Sequence, residues 1–170
     1  VKIDLARIPQ MPLNNDTLLD LSYMYIIPPM AWNTLIKKSL IDKWNISFRQ
    51  GLVYEDNLWS VQLFRHNNYF VIIPNITYYY ESNPESILGN DQEGTFQSKY
   101  LPHKIILVNE YLNTFDTKHF VSYTLFIVTF LITMFDSIKN DGKDGNMYKQ
   151  VQELRNRLMI ITLRHFRIVL

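Results

Sequence analysis

Apolar side chains recur at helical spacing in the C-terminal part of the chain. Ile105, Val108, Leu112 and Phe115 repeat every three or four positions, which predicts an amphipathic helix. The run at 120–135, FVSYTLFIVTFLITMF, then contains no charged residue. It is shorter than the roughly 20 apolar residues that a membrane-spanning helix needs, and it includes several hydroxyl side chains. The pattern therefore favours a buried helix.

The final helix is predicted to carry a packing seam. Its apolar positions alternate at spacings of four and three residues: Met147, Val151, Leu154, Leu158, Ile161, His165 and Ile168. Such a seam packs against another helix or a partner. Arg157, Arg164 and Arg167 lie about 100° from the seam, as a flank that is either a solvated face or a contact with an anionic membrane surface. A polar, Gly-containing stretch at 139–146 is expected to precede this helix.

Shorter helices are predicted in the first part of the chain. Asn14, Asn15 and Asp16 offer N-caps for one of them. The apolar spacing in WNTLIKKSLIDKWN predicts a second helix over 32–45, with Asn33 as its N-cap and Asn45 closing it in the left-handed conformation.

Residues 51–80 combine a helix with a strand. The segment EDNLWSVQLFRHN predicts a helix whose acidic residues lie at its positive end. The β-rich run at 69–73 predicts a buried strand, which Pro74 interrupts. We therefore expect an α+β fold, with a mixed region at 1–100 followed by a helical tail at 101–170 that packs on it.

Composition limits the classes of function that fit this chain. Its 170 residues are 47% apolar, enough for a buried core, and its net charge of +1 gives no sign of nucleic-acid binding. The absence of cysteine excludes disulfides and thiol-ligated metals. The histidines have no companions at metal-ligand spacing, so no metal site is assigned.

Five short elements follow one another in a distinctive order between residues 32 and 87. They are Trp32–Asn33, the stretch Phe48-x-x-Gly51-x-x-x-Glu55-Asp56, Pro74 in an aliphatic strand, Tyr78 with Tyr80, and Ser86–Ile87. Their order and spacing resemble the C-terminal half of bacterial family-2 glycosyltransferases. No single element is specific, whereas the ordered set is.

The resemblance implies the fold, the reaction and the residues of a site. It implies the C-terminal portion of a nucleotide-sugar glycosyltransferase α/β fold with a short sheet, and an inverting transfer in surface polysaccharide synthesis. Asp56 matches the general base, and Glu55 would orient that base or contact the acceptor. The substrate-binding candidates are Trp32, Asn33, Trp59, Tyr80 and Ser86.

The chain departs from the family pattern in several places. Thr34 and Glu81 stand where the family usually has Lys and Arg. Nothing before Trp32 resembles the nucleotide-binding half or its Asp-x-Asp motif, whose carboxylates hold a divalent metal, Mg²⁺ or Mn²⁺, on the diphosphate. The expectation is that this chain lacks its N-terminal half, supplies no metal ligands and is inactive alone.

The resemblance also suggests partners and leaves an alternative function open. The partners would be a nucleotide-sugar donor and a glycan or lipid-linked acceptor, in the cytoplasm at the inner face of the membrane, with a homodimer or a peripheral membrane contact as further expectations. The alternative is a non-catalytic helical interaction or membrane-docking module. In that case Asp56 starts a helix, Asn33 is a cap, and Trp32, Trp59 and Tyr80 are packing residues.

Overall fold

The computed structural model describes residues 12–27, 30–66, 69–73, 78–79, 81, 83, 86, 99–141 and 145–169. Within them the chain is mostly helical, with a single two-stranded antiparallel sheet, which confirms the α+β class. It divides into two compact units, Val1–Tyr80 and Glu81–Leu170. The boundary near residue 100 and the packing of the tail on the mixed region stay predictions.

The described residues of the first unit form two short strands and three α-helices. In chain order these are β1 (Leu13–Asn14), α1 (Asn15–Tyr23), a 3₁₀ helix (Ala31–Asn33), α2 (Lys38–Trp44), α3 (Glu55–His66) and β2 (Tyr69–Phe70). The Asn14 side chain accepts a hydrogen bond of 2.8 Å from the Thr17 N–H, so Asn14 caps α1 as predicted. In the sheet, Leu13 lies opposite Phe70 and Asn14 opposite Tyr69.

The core of the first unit lies where α1 packs on α3. Its buried apolar side chains include Leu18, Leu19, Leu21, Val61, Leu63 and Phe64. Phe64 also meets Phe70 of β2 edge to face, with 5.4 Å between ring centroids. Burial of each large apolar side chain contributes about 1.5–3 kcal/mol, so this contact fixes α3 and the carboxylates at its start.

The predicted helix over 32–45 is wrong in its first half. The chain makes only a 3₁₀ turn at Ala31–Asn33, Thr34 is extended, and α2 begins at Lys38. The Thr34 hydroxyl donates to the Met30 carbonyl at 2.9 Å, and Leu35 is 97% exposed, so the predicted stripe has nothing to pack against. Asn33 therefore ends a 3₁₀ turn and caps no α-helix. Asn45 does close α2 in the left-handed conformation, as predicted (φ 49°, ψ 44°).

The predicted buried strand is also shorter and more exposed than expected. Only Tyr69 and Phe70 pair with β1, and Tyr69, Val71 and Ile73 are all exposed. Phe70 and Ile72, which alternate with them, are partly buried. The run therefore has one solvated side. Pro74 lies outside the described residues.

Three packed α-helices make up the part of the second unit that the structure describes. They are α4 (Leu101–Asn113), α5 (Phe120–Asp141) and α6 (Gly145–Val169), with a 3₁₀ turn at Thr117–His119 before α5. The predicted seam is confirmed at Val151, Leu154 and Leu158, which are buried. The stretch Thr117–Lys139, which includes most of α5, is long and apolar enough to cross a membrane by composition, but half of its most apolar part is buried inside the protein.

Aromatic rings fill the centre of this second unit. Tyr111 packs edge to face on Phe126 at 5.0 Å between centroids, and the Tyr123 hydroxyl donates to the Tyr111 carbonyl at 3.1 Å. Phe120, at the start of α5, stacks on His165 near the end of α6 at 3.9 Å. Because Phe135 meets Tyr148 at the other end, α5 and α6 run antiparallel.

Arg157 joins α6 to α4 and is not part of a free basic flank. Its guanidinium donates to the side-chain carbonyl of Asn109, and to that of Asn113 at 2.7 Å. The Arg155 guanidinium, two residues earlier, bonds to Asn156 on its own helix and to no other residue that the structure describes. Arg157 therefore binds α4 instead of lying free in the predicted flank, whereas Arg164 and Arg167 are exposed.

Replacing Arg157 with Ala is expected to lower the free energy of unfolding by about 1–3 kcal/mol, because two charge-assisted hydrogen bonds between helices are lost. Urea unfolding followed by circular dichroism measures this change. Arg155→Ala is the matched control and should stay within about 0.5 kcal/mol of wild type. Equal losses of unfolding free energy in both variants would contradict a stabilising role for the Arg157 hydrogen bonds between α6 and α4.

Lys104 is a buried cation in the second unit. It is 3% exposed, and its Nζ donates to the Thr133 hydroxyl of α5 at 3.1 Å. Burial lowers the pKa of the Lys104 ammonium. The folded protein therefore binds this proton less tightly than the unfolded chain, so stability rises with pH between the lowered pKa and the ordinary value of about 10.4.

Lys104→Met should remove this rise of unfolding free energy with pH. We expect the variant to be at least as stable as wild type near neutral pH, because a desolvated charge is replaced by an apolar side chain of similar length. The Thr133 hydroxyl keeps its bond to the Phe130 carbonyl at 2.9 Å. Urea titrations across the alkaline range test this, with exposed Lys149→Met as the control that keeps the rise. A rise that persists in Lys104→Met would assign it to other groups.

Candidate functional site

The candidate site lies at the start of α3, where two carboxylates stand side by side. Glu55 and Asp56 occupy the first turn of the helix, as predicted, and both are partly buried. Negative charge is stabilised there by the helix dipole. The chain enters the helix through left-handed backbone at Gly51 (φ 75°) and at Tyr54 (φ 71°). A left-handed tyrosine costs conformational energy, and such strain is often found at functional sites.

One hydrogen bond connects Asp56 to the Trp32–Asn33 element. Asp56 Oδ2 accepts from the backbone N–H of Ala31 at 3.3 Å, across 25 positions of sequence. That N–H is the first of the 3₁₀ turn at Ala31–Asn33, so Asp56 caps this turn. Oδ1 of Asp56 and the carboxylate of Glu55 make no hydrogen bond within the described part of the chain.

Trp32 and Tyr78 form a pair of aromatic rings beside this turn. Their centroids are 4.5 Å apart and the ring planes are tilted by 35°. Trp32 is 37% exposed and Tyr78 is exposed as well. The exposed parts of the two rings offer apolar surface of the kind on which the C–H face of a sugar ring can rest.

The other substrate-binding candidates are placed differently. Trp59 is buried and stacks on Phe48 at 5.1 Å between centroids, as the packing alternative describes. Asn33 is exposed at the end of the 3₁₀ turn. Ser86 belongs to the second unit, where its N–H donates to the Asn83 carbonyl at 3.0 Å. Tyr80 lies outside the described residues. The structure thus brings Asp56, Glu55 and the Trp32–Asn33 turn together.

Sequence reasoning missed the groups that flank the carboxylates. Tyr25 also has left-handed backbone (φ 54°), and partial burial together with the nearby Tyr54 raises the pKa of the Tyr25 hydroxyl. The Oδ1 atom of Asn57, next to Asp56, is buried without a hydrogen-bond donor among the described residues. Neither a left-handed tyrosine nor a distant tyrosine pair has a sequence signature, so only the folded chain reveals them.

No group of three metal-ligating side chains lies together within the residues that the structure describes. Glu55 and Asp56 are the two carboxylates of the site, and one oxygen of Asp56 is already used by the backbone. This arrangement does not fit a divalent metal with protein ligands of its own. No chemical step is therefore routed through a metal here.

Comparisons with protein-family models, with curated proteins and with solved structures find no match to this chain. The likeness to family-2 glycosyltransferases thus depends on the ordered residues and on where the fold places them. It stays a prediction about function.

Removing the carboxylate of Asp56 is expected to loosen the 3₁₀ turn. Asp56→Ala should lower the free energy of unfolding by about 1 kcal/mol, because the Ala31 N–H loses its acceptor. Asp56→Asn should retain most of that stability, since the amide oxygen can accept the same bond. Asp42→Ala is the control, because the exposed Asp42–Lys38 pair contributes little. Urea unfolding followed by tryptophan fluorescence separates these outcomes. An Asp56→Ala variant with the unfolding free energy of wild type would contradict a stabilising role for the bond between Asp56 and the Ala31 N–H.

Proposed function

We propose that this chain is the acceptor-side portion of an inverting, nucleotide-sugar-dependent glycosyltransferase that acts in surface polysaccharide synthesis. The observation that carries the proposal is the hydrogen bond between Asp56 and the Ala31 N–H. It brings two separate elements of the ordered motif set into one site. A chance match of sequence elements would not require them to meet in the fold.

The proposed reaction uses Asp56 as the general base. An acceptor hydroxyl attacks the anomeric carbon of the donor sugar while its proton passes to Asp56 Oδ1. The new C–O bond forms on the face opposite the nucleoside diphosphate, which leaves with the electrons of the broken bond, so the configuration is inverted. General-base assistance of this kind typically accelerates a reaction by about 10² to 10⁴. Oδ2 remains bonded to the Ala31 N–H and holds the carboxylate in place.

The surroundings of Asp56 support proposed roles for the neighbouring residues. Trp32 and Tyr78 would support the acceptor sugar on their exposed ring faces. Glu55 and the unsatisfied Oδ1 of Asn57 would accept hydrogen bonds from sugar hydroxyls. Trp59 contributes through its packing on Phe48, which holds the first turns of α3 against the preceding loop.

The nucleotide and its metal are the parts that these residues do not provide. In the proposed enzyme a nucleotide-binding portion holds the donor, and a divalent metal supplies charge compensation for the leaving diphosphate. The acceptor would be a glycan or a lipid-linked sugar, which places the reaction in the cytoplasm at the inner face of the membrane. Self-association into a homodimer is part of the same proposal.

A second candidate function is favoured by the same hydrogen bond. If the bond between Asp56 and Ala31 serves only to cap the 3₁₀ turn, the chain is a non-catalytic interaction or docking module. Under this alternative Asp56 matters for stability and not for turnover. The two candidates therefore differ in what Asp56→Asn does.

Asp56→Asn is expected to lower sugar transfer by at least about 100-fold while leaving the fold intact, because the amide keeps the cap and cannot take up the proton. The assay measures transfer of labelled sugar from nucleotide-sugar donors by the full-length enzyme that contains this chain. Asp42→Asn, an equal change of charge on the exposed face of α2, serves as the control. Transfer by Asp56→Asn at close to the wild-type rate would overturn the assignment of Asp56 as general base. The chain would then be better described as a non-catalytic docking module.

A further inference from the structure

We propose that the second unit docks on an anionic lipid surface through one apolar face of α5 and α6. This apolar face comprises six exposed side chains, three on each helix: Val121, Leu125, Ile132, Met159, Leu163 and Phe166. Each is between 55 and 70% exposed. The inference concerns the second unit alone, and it does not rest on the proposed transferase activity.

The α5 part of the face is a stripe without charge. Val121, Leu125 and Ile132 fall on one side of the helix at spacings of four and seven residues. No charged side chain occurs between Phe120 and Phe135. A surface helix of a soluble protein normally shows polar residues opposite its buried side, and here that side is apolar.

The two stripes are continuous where α5 and α6 pack. Phe166 of α6 contacts Phe120 of α5 edge to face, with 5.9 Å between centroids. Val121 follows Phe120 by one residue, roughly 100° further round α5. Leu163 and Met159 precede Phe166 by three and seven residues on the same side of α6. The six side chains therefore form one surface.

Basic charge at the end of α6 indicates the partner of the apolar face. Arg167 borders this face, about 40° round the helix from Leu163, whereas Arg164 lies about 100° from Leu163, on the side of Arg157. Arg164 and Arg167 are exposed and make no ion pair within the described part of the chain. Arg167 lies one helical turn beyond Leu163, and no acidic residue follows Glu153 on α6. Long arginine side chains can extend from an apolar surface to lipid phosphates. A helix with apolar and basic sides of this kind is typical of contact with anionic membranes.

A lipid surface accounts for this charge pattern better than a second copy of the chain. A symmetric contact centred near Phe166 would bring Arg167, the next residue, close to Arg167 of the other copy. A spanning α5 is disfavoured as well, because its inner side is already packed. Thr133 accepts the bond from buried Lys104, and Tyr123 bonds to the Tyr111 carbonyl. The helix therefore has one side available to lipid.

Co-sedimentation with vesicles tests the proposal. The intact chain should bind vesicles of phosphatidylcholine with phosphatidylglycerol, bind pure phosphatidylcholine at least about tenfold more weakly, and be released by high salt. Arg164→Gln with Arg167→Gln, and separately Leu125→Gln with Leu163→Gln, should each weaken binding about tenfold or more. Lys37→Gln with Lys149→Gln matches the charge change, and Leu35→Gln matches the loss of an exposed leucine; both controls should bind like wild type.

A labelling experiment keeps the proposal testable should the apolar variants fold poorly. The chain has no cysteine, so Leu163→Cys carries an environment-sensitive fluorophore at one defined position. Its emission should shift to the blue on anionic vesicles, whereas the same label on Leu35→Cys should not respond. Equal binding to neutral vesicles, release only by detergent, or a dimer in solution that Leu125→Gln with Leu163→Gln dissociates would each overturn the proposal.

Discussion

The hydrogen bond from the Ala31 N–H to Asp56 Oδ2 fixes the geometry of the candidate site. The acceptor lies on α3, and α3 is held by its packing on α1. The core of the first unit therefore fixes the position of the 3₁₀ turn. Trp32 belongs to that turn and meets Tyr78. One carboxylate thus connects core packing, a tight turn and an exposed aromatic pair. Its second oxygen remains available for chemistry, so capping and catalysis can coexist in Asp56.

The same bond explains why sequence reasoning failed nearby. The spacing of Trp32, Leu35 and Ile36 matches a helix, but a helix forms there only if that stripe can be buried. Leu35 is almost fully exposed, and the first N–H of the turn is satisfied by a carboxylate 25 positions away. The local spacing of apolar residues cannot predict a hydrogen-bond acceptor so distant in sequence. The predicted strand at 69–73 is short for a related reason, since the one strand that pairs with it among the described residues is the two-residue β1.

In the second unit, the features that depend on local helical periodicity could be predicted from the sequence. The seam of α6 and the apolar spacing of α4 follow from helical periodicity, and Val151, Leu154 and Leu158 are buried as expected. Helical periodicity does not predict which charged residues of α6 bind a neighbouring helix and which stay exposed. Arg157 and Arg164 lie two turns apart on the same side of the helix, yet Arg157 bonds to Asn109 and Asn113 while Arg164 stays exposed. Only the register between α6 and α4 distinguishes the two arginines.

For the uncharged run of α5, the sequence does not predict which apolar residues are buried and which are exposed. When every position from Phe120 to Phe135 is uncharged, periodicity cannot say which side faces the core. Neighbouring helices decide: Phe126 and Phe130 meet Tyr111, whereas Val121 and Leu125 point away. An apolar outer side would be a liability in water unless something covers it. Arg167, which borders the α6 part of this surface, favours the anionic lipid surface proposed above as that cover.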